Sequence, residues 1–250
     1  MESSGSQLTV VSFAERPELA EELPAAIKGG WPEFIFHDPV AKRYIARVWE
    51  LFADLNLVLL DQEGQIVAGG WGVPLSWDGS LAALPEGWDD ALERCVGEHD
   101  RRAAADTLST MAAQVRDGYQ GRGLGGEVLR ALRQRAIQRG LSRMIAPVRP
   151  TLKSRYPLTP IDRFITWTRE DGSPLDSWMR THWRLGAKTL QPAHRSMVIV
   201  GTVADWEQWT GMRFPESARY VVPEALDLVV IDCEQDRGEY VEPNVWMRHL

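Results

Sequence analysis

Apolar residues in the first half of the chain switch between strand-like and helical spacing. A short β-branched run, Leu8 to Phe13, predicts a strand, and the two segments after it place apolar residues at helical intervals. The second predicted helix has Asp38 as its cap and Pro39 at its first position. Two further apolar runs, joined by a short loop that contains Gly64, predict a β-hairpin. The chain therefore opens with one strand, two helices and two hairpin strands.

The second half alternates strands with helices. DTLSTMAAQV and RMIAPVRP predict strands on either side of a helix from Gly126 to Arg139. A later helix is capped by Asp176 and ended by Gly186, and RSMVIVGTV predicts a last strand before a tail. Leu81–Ala105 is expected to be an irregular insert with one helical turn, and Thr151–Ser173 a long loop. This order of elements indicates an α/β domain.

Composition and charge narrow the class of protein. The chain has 250 residues, 44% of them apolar, which is enough for one sizeable domain with an extension. Its net charge of -7 argues against binding to nucleic acid or an anionic membrane, because both need a broad positive field. The two cysteines, Cys95 and Cys233, are far apart, and neither targeting segment nor membrane span is apparent. These features predict a soluble cytoplasmic protein without a metal site.

The stretch YQGRGLGGEV places four glycines in six positions just before a helix: Gly121, Gly123, Gly125 and Gly126. Backbone N–H groups that no side chain blocks, at the positive end of a helix dipole, predict an anion site. No Lys-Ser/Thr pair follows, which excludes a P-loop. Gly121, Gly123 and Gly126 fit a dinucleotide fingerprint, but the immediate strand and the later acidic residue are missing. A tight turn, and an NADP site that uses Arg149, remain as alternatives.

A second pattern, Gln/Arg-x-x-Gly-x-Gly/Ala, is met by Gln120, Gly123 and Gly125. In this the sequence resembles the GNAT acyltransferase superfamily, whose pyrophosphate loop has the same pattern between a strand and a helix. The element order from Leu8 to about Val200 is also similar. HWRLGAK, with Leu185 and Gly186, stands where the family often has Tyr-x-x-Leu-Gly-Phe.

The resemblance implies a mixed α/β sheet with splayed parallel central strands, flanked by helices. Residues 1–200 would form the acyl-CoA-binding domain, and 201–250 a C-terminal extension packed on it. The extension would cover the cleft, add strands or bury itself in a homodimer. Acetyl-CoA or another acyl-CoA would be the co-substrate. By position, the residues that bind it would be Val115, Gln120, Gly121, Arg122, Gly123, Leu124, Gly125 and Gly126.

The resemblance also implies an enzyme that moves an acyl group, acetyl in the first place, from CoA to an amine of a small acceptor. The family often uses a Tyr to protonate the departing thiolate, and His182 occupies that position here. A His near pKa ~6.5 can give or take a proton at neutral pH. His182 is therefore the candidate catalytic residue. Local packing of His182, decarboxylation of an acyl group and a non-catalytic acyl-CoA-binding module remain as alternatives, and no general base stands out.

An acid-free segment runs from Val128 to Ile161, and its positive charge suggests a partner for the ribose phosphate of CoA. The alternative to a phosphate-binding role is a helix face whose positive side chains are simply solvated. The segment contains Arg130, Arg133, Arg135, Arg139, Arg143, Arg149, Lys153 and Arg155.

Overall fold

Nine strands form one sheet in the computed structural model, which describes residues 8–27 and 29–249. The strands are β1 Thr9–Ser12, β2 Asn56–Leu60, β3 Ile66–Leu75, β4 Thr107–Val115, β5 Arg143–Val148, β6 Lys188–Gly201, β7 Ala218–Tyr220, β8 Val229–Asp232 and β9 Arg237–His249. Their order across the sheet is β1-β2-β3-β4-β5-β9-β8-β7, and β6 also pairs with β9. The predicted mixed α/β sheet is confirmed.

Seven α-helices flank the sheet in the described part of the chain. They are α1 Leu19–Ala26, α2 Pro39–Leu51, α3 Trp88–Asp100, α4 Leu124–Gln138, α5 Ile161–Phe164, α6 Ser177–Arg184 and α7 Val203–Thr210. The predicted caps are confirmed, since Asp38 accepts a bond from the Ala41 N–H and Asp176 accepts bonds from the N–H groups of Trp178 and Met179. None of these helices combines the length and apolarity needed to cross a bilayer.

The expectation of an irregular insert at Leu81–Ala105 is wrong, because α3 fills much of it. Ala91, Leu92, Cys95 and Val96 of α3 are all buried. They form one apolar stripe that packs on the core, although acidic residues and Gly97 weaken the sequence signal. Tertiary packing therefore stabilises a helix that local propensity did not predict.

β4 and β5 are the only parallel neighbours in the described sheet, and they pair over three residues each. The last partners are Ser109 and Ile145, after which the strands separate. A register shift opposite Trp71 and Gly72 leaves Met111 as an extra residue in β4. The separation of the two strands opens a cleft in the middle of the sheet, as splayed parallel strands predict.

The segment after residue 200 contributes α7, β7, β8 and β9, and β9 lies inside the sheet. β9 pairs with β6 along one edge, and with β5 and β8 along different parts of the other edge. A Cβ at Gly238 in β9 would lie 2.1 Å from the Trp206 side chain, so only glycine allows α7 to pack this closely on the strand. The division of the chain after residue 200 stays a prediction.

Candidate functional site

The separation of β4 and β5 creates a cleft of about 580 Å³. Its walls come from Thr110–Val115 of β4, Ala146–Arg149 at the end of β5, the glycine-rich loop and α6. Trp31, Trp88, Met197 and Asn244 also contribute to the lining. All the predicted CoA-binding residues line this cleft except Arg122, and so does His182. The Arg122 guanidinium instead lies 4.8 Å from the centre of the Tyr119 ring.

The glycine-rich loop presents unpaired N–H groups at the start of α4. Gly123 precedes the helix in the left-handed conformation (φ 80°) without a side-chain cap. Within the described residues, the N–H groups of Gly123, Leu124 and Gly125 have no protein acceptor, whereas those of Gly126 and Glu127 bond to the Gly123 carbonyl. A Cβ at Gly123 would meet no atom within 4 Å. These donors, at the positive end of a helix dipole and beside open space, fit a pyrophosphate.

Gln120 and Gly125 contribute to the loop differently from the expectation. The Gln120 carboxamide accepts a bond from the Gly118 N–H at 2.9 Å and donates one to the Asp117 carboxylate at 2.8 Å, so its polar atoms hold the loop itself. A Cβ at Gly125 would lie 2.9 Å from the Trp178 ring. Glycine at this position therefore allows α6 to pack against α4, a role that the sequence did not indicate.

His182 lies in the cleft wall and is almost fully buried. Its Nδ1 is 2.9 Å from Nε2 of His249, and its ring meets the Trp178 ring edge to face at 4.6 Å. Burial, followed by the neighbouring His249, lowers the pKa of His182 well below 6.5. The ring is therefore neutral at pH 7. Its Nε2 has no partner among the described residues. Nε2 is buried but unpaired, so it is the one ring atom left for a further hydrogen bond, and the neutral ring has no extra proton to give at neutral pH.

Arg149 and Glu242 form a buried ion pair beside this cleft. The Glu242 side chain has no exposed surface, and both of its oxygens lie 3.0 Å from Nε of Arg149. Tyr240 and Asn244 also donate hydrogen bonds to the Glu242 carboxylate. Burial alone would lower the pKa of Arg149, but the charge and hydrogen bonds of Glu242, together with smaller effects of Tyr240 and Glu224, raise it. Arg149 is thus a permanent cation in the cleft lining.

Two more carboxyl groups near this pair have raised pKa values. Burial, and then the charge of Glu242, raise the pKa of Asp38 to about 6. Burial, and then the charge of Asp38, raise the pKa of Asp89 to about 8. Oδ1 of Asp89 has no partner in the described residues, and Oδ2 accepts a bond from the Val198 N–H. At pH 7 the Asp89 carboxyl is mostly protonated.

We expect Asp89→Asn to reduce the pH dependence of stability. The folded pKa lies above the unfolded value of ~3.9, so the folded state keeps the proton longer and stability falls as pH rises from about 4 to 8. One such group changes the free energy of unfolding by at most ~1.4 kcal/mol per pH unit. In urea unfolding, the variant should exceed the unmodified protein in stability at pH 8.5 and approach it at pH 5. Equal slopes in both proteins would contradict the raised pKa.

Most arginines of the acid-free segment form ion pairs with carboxylates that lie outside the segment. Lys153 is buried, and its ammonium donates to the carbonyls of Tyr156 and Leu226. The ribose-phosphate hypothesis stays a prediction, with much less free positive charge to support it than the sequence suggested. The ion pairs are Arg130 with Glu127, Arg135 with Glu15, Arg139 with Asp54, Arg143 with Asp106, and Arg149 with Glu242.

A curated relative matches almost the whole chain. The arginine N-acetyltransferase avaD of Aspergillus versicolor is 28% identical over 267 residues, which cover 94% of this chain and 91% of the relative. No family model matches the sequence.

Two solved structures share the fold over nearly their full length. The loading GNATL domain of CurA from Lyngbya majuscula superposes with a TM-score of 0.60 at 16% identity, covering 97% of each chain. The GphF GNAT-like decarboxylase in complex with isobutyryl-CoA has a TM-score of 0.56 at 17% identity, covering 97% of this chain and 98% of that one. With the glycine-rich loop at the start of α4 and the cleft between β4 and β5, these similarities show that the chain has the fold of these GNAT-like proteins.

Proposed function

We propose that the protein transfers an acyl group, acetyl in the first place, from acyl-CoA to the amine of a small molecule. The observation that carries the proposal is the set of unpaired N–H groups of Gly123, Leu124 and Gly125 inside the cleft. The relative from Aspergillus versicolor, named for N-acetylation of arginine, supports an amine as the acceptor. In the reaction the amine nitrogen forms a bond to the acyl carbon, the C–S bond breaks, and the nitrogen loses a proton while the sulfur gains one.

The cleft supplies positions for each part of an acyl-CoA. The loop N–H groups would hold the pyrophosphate, and Val115 would pair through its backbone with the pantetheine arm. Support for this pairing comes from β4 itself, which has no partner in β5 beyond Ser109. Acyl-CoA would supply the activated thioester. The protein would bind and orient it and exclude water from the reacting carbon.

His182 would assist the departing sulfur through its free Nε2. Because the ring is neutral, this assistance is a hydrogen bond from Nε2–H to the developing thiolate, not the delivery of a stored proton. A thiol near pKa ~8.5 leaves without obligatory protonation above neutral pH, so this contribution is helpful and not essential. The bond between His182 and His249 would fix the ring in place.

We expect His182→Phe to lower turnover at least about tenfold, the effect of losing one hydrogen bond to the developing thiolate, with little change in CoA affinity. His182→Tyr, which restores the residue common in the family, should recover part of the rate. The matched control is His194→Phe, because His194 is exposed and pairs with Asp162 on the surface. Steady-state kinetics with acetyl-CoA give the comparison. Unchanged turnover in His182→Phe would return His182 to a packing role.

The proposed reaction is tested by mass spectrometry for free CoA after incubation of a panel of acyl-CoA thioesters with small amines. Binding of acyl-CoA without turnover of any donor would favour the second candidate, a non-catalytic acyl-CoA-binding module. The observation behind that candidate is the neutral, buried His182 at the position of the family's usual acid.

The proposal also covers the cellular location of the protein and its partners. Cys95 and Cys233 are both free thiols, which supports the reducing cytoplasm as the site of action. The net charge of -7 supports a small acceptor in place of nucleic acid. Light scattering tests whether the protein forms the homodimer that the sequence analysis considered.

A further inference from the structure

Two of the three nitrogen atoms of the Arg149 guanidinium, Nε and Nη2, are hydrogen-bonded to protein acceptors, and the third, Nη1, is bonded to none that the structure describes. Nε contacts both oxygens of Glu242 at 3.0 Å, and Nη2 donates to the Glu224 carbonyl at 2.7 Å. Nη1 has no acceptor anywhere in residues 8–27 and 29–249, although the side chain is only 14% exposed and lines the cleft. The Trp31 ring lies 5.8 Å from Cζ. One donor edge of a permanent cation is therefore unused beside the proposed acyl-CoA site.

A chain of hydrogen bonds keeps Arg149 in this orientation. The buried Glu242 carboxylate accepts bonds from Tyr240 and Asn244 in addition to Arg149. Asn244 in turn accepts a bond from the Ser196 hydroxyl at 2.6 Å, and the Ser196 oxygen accepts one from the Trp88 N–H at 2.9 Å. Both Glu242 oxygens are thus occupied by protein donors. Glu242 serves to position Arg149 and has no capacity left for a ligand.

We propose that Nη1 of Arg149 binds a carboxylate on the ligand that enters this cleft, in the first place the carboxylate of an amino-acid acceptor. Arginine N–H groups form short, charge-assisted bonds with carboxylates, and a guanidinium held before binding loses little conformational freedom. Asp38 and Asp89 lie behind the wall and are not part of the cleft lining, so Arg149 is the charge that a ligand meets from this network. The inference rests on the proposed acyltransferase function, because it places the acceptor in the same cleft.

The same chemistry would fit a carboxylate on the acyl group, as in malonyl-CoA. Experiments that change the acceptor and the acyl-CoA separately distinguish these two sources of the carboxylate. Because Glu242 already balances the charge of Arg149, we expect a preference of only about tenfold for the carboxylate, the effect of one modest charged hydrogen bond.

The first experiment compares amines that differ only in an α-carboxylate: arginine with agmatine, and ornithine with putrescine. With acetyl-CoA, kcat/KM should favour the amino acid in each pair by about tenfold or more. Arg149→Lys keeps the charge but loses the fixed fork, so the preference should fall toward one while acetyl-CoA affinity stays the same. Arg155→Lys is the matched control, since Arg155 is exposed and outside the cleft. If Arg149→Lys does not fold, the double variant Arg149→Gln, Glu242→Gln replaces it in this experiment. The double variant removes both charges of the buried pair, so neither is left without a counter-ion.

A second experiment measures binding by calorimetry, independently of turnover. Each amine is titrated into the free protein and into its CoA complex, and malonyl-CoA is compared with acetyl-CoA. Tighter binding of the amino acid, lost in Arg149→Lys, supports the acceptor as the source of the carboxylate. Tighter binding of malonyl-CoA, lost in the same variant, supports the acyl group as the source.

The proposal is overturned if neither carboxylate changes the affinity. It is also overturned if the variant weakens the binding of acetyl-CoA and malonyl-CoA equally, as the loss of a phosphate contact would. Absence of any acyl-CoA binding contradicts the proposed function, while amino-acid binding still reports on Arg149.

Discussion

Gly123→Val is expected to lower the affinity for CoA at least about a hundredfold, the effect of losing one or two charge-assisted hydrogen bonds. Gly123 lines the cleft with φ 80°, and its Cβ position faces open space beside the unpaired N–H groups of Leu124 and Gly125. A branched side chain there would keep a pyrophosphate from reaching these donors and would strain the left-handed backbone. Calorimetry with CoA measures the loss.

Gly140→Val is the matched control for backbone strain. Gly140 follows the other end of α4, has φ 76°, and its Cβ position also meets no atom within 4 Å, but it does not line the cleft. Both variants should lose similar stability in thermal unfolding, and only Gly123→Val should lose CoA. Equal CoA affinity in the two folded variants would refute the phosphate-loop assignment. Gly125→Val is a poorer test because its side chain would also collide with Trp178.

Glu242→Gln is expected to destabilise the fold by about 3 to 5 kcal/mol, since it leaves the charge of Arg149 buried without a counter-ion. The carboxamide also turns an NH₂ group toward Arg149, Tyr240 or Asn244, all of which are donors to Glu242. In thermal unfolding this corresponds to a fall in Tm of roughly 10 °C for a domain of this size.

Asp100→Asn provides the comparison for Glu242→Gln. It breaks the ion pair with Arg47, in which both side chains are about half exposed, and such pairs contribute less than about 1 kcal/mol. A loss of stability in Glu242→Gln as small as that in Asp100→Asn would show that water or a neighbouring group compensates Arg149. Glu242 would then not be the residue that holds the cleft wall.

Local signals account for the parts of the fold that the sequence predicted. The capping bonds of Asp38 and Asp176 come from N–H groups two or three residues along the chain, and Gly64 turns the hairpin with φ 74°. α3 and β9 depend on contacts with distant segments. Their own residues signal helix or strand weakly, and burial against the rest of the sheet decides their structure.

The same distinction separates the predictable and unpredictable parts of the site. The glycine-rich loop is one continuous segment, so its chemistry can be predicted from the order of its residues. Arg149 is 93 residues from Glu242, and His182 is 67 residues from His249, with no motif to link either pair. The sequence showed an arginine and a histidine of interest, but their partners, which determine what each can do, follow only from the sheet topology.

The position of β9 has a consequence for how the protein folds. β5 forms one edge of the cleft, yet its antiparallel partner arrives roughly 100 residues later in the chain, and such distant pairings slow the search for the native state. Until then β5 has one edge open to other chains, a hazard for aggregation. Because β9 also carries Glu242, Asn244 and His249, the same late event that closes the sheet fixes Arg149 and His182. A folding intermediate without β9 would therefore have the glycine-rich loop, but Arg149 and His182 would lack the partners that hold them in the cleft wall.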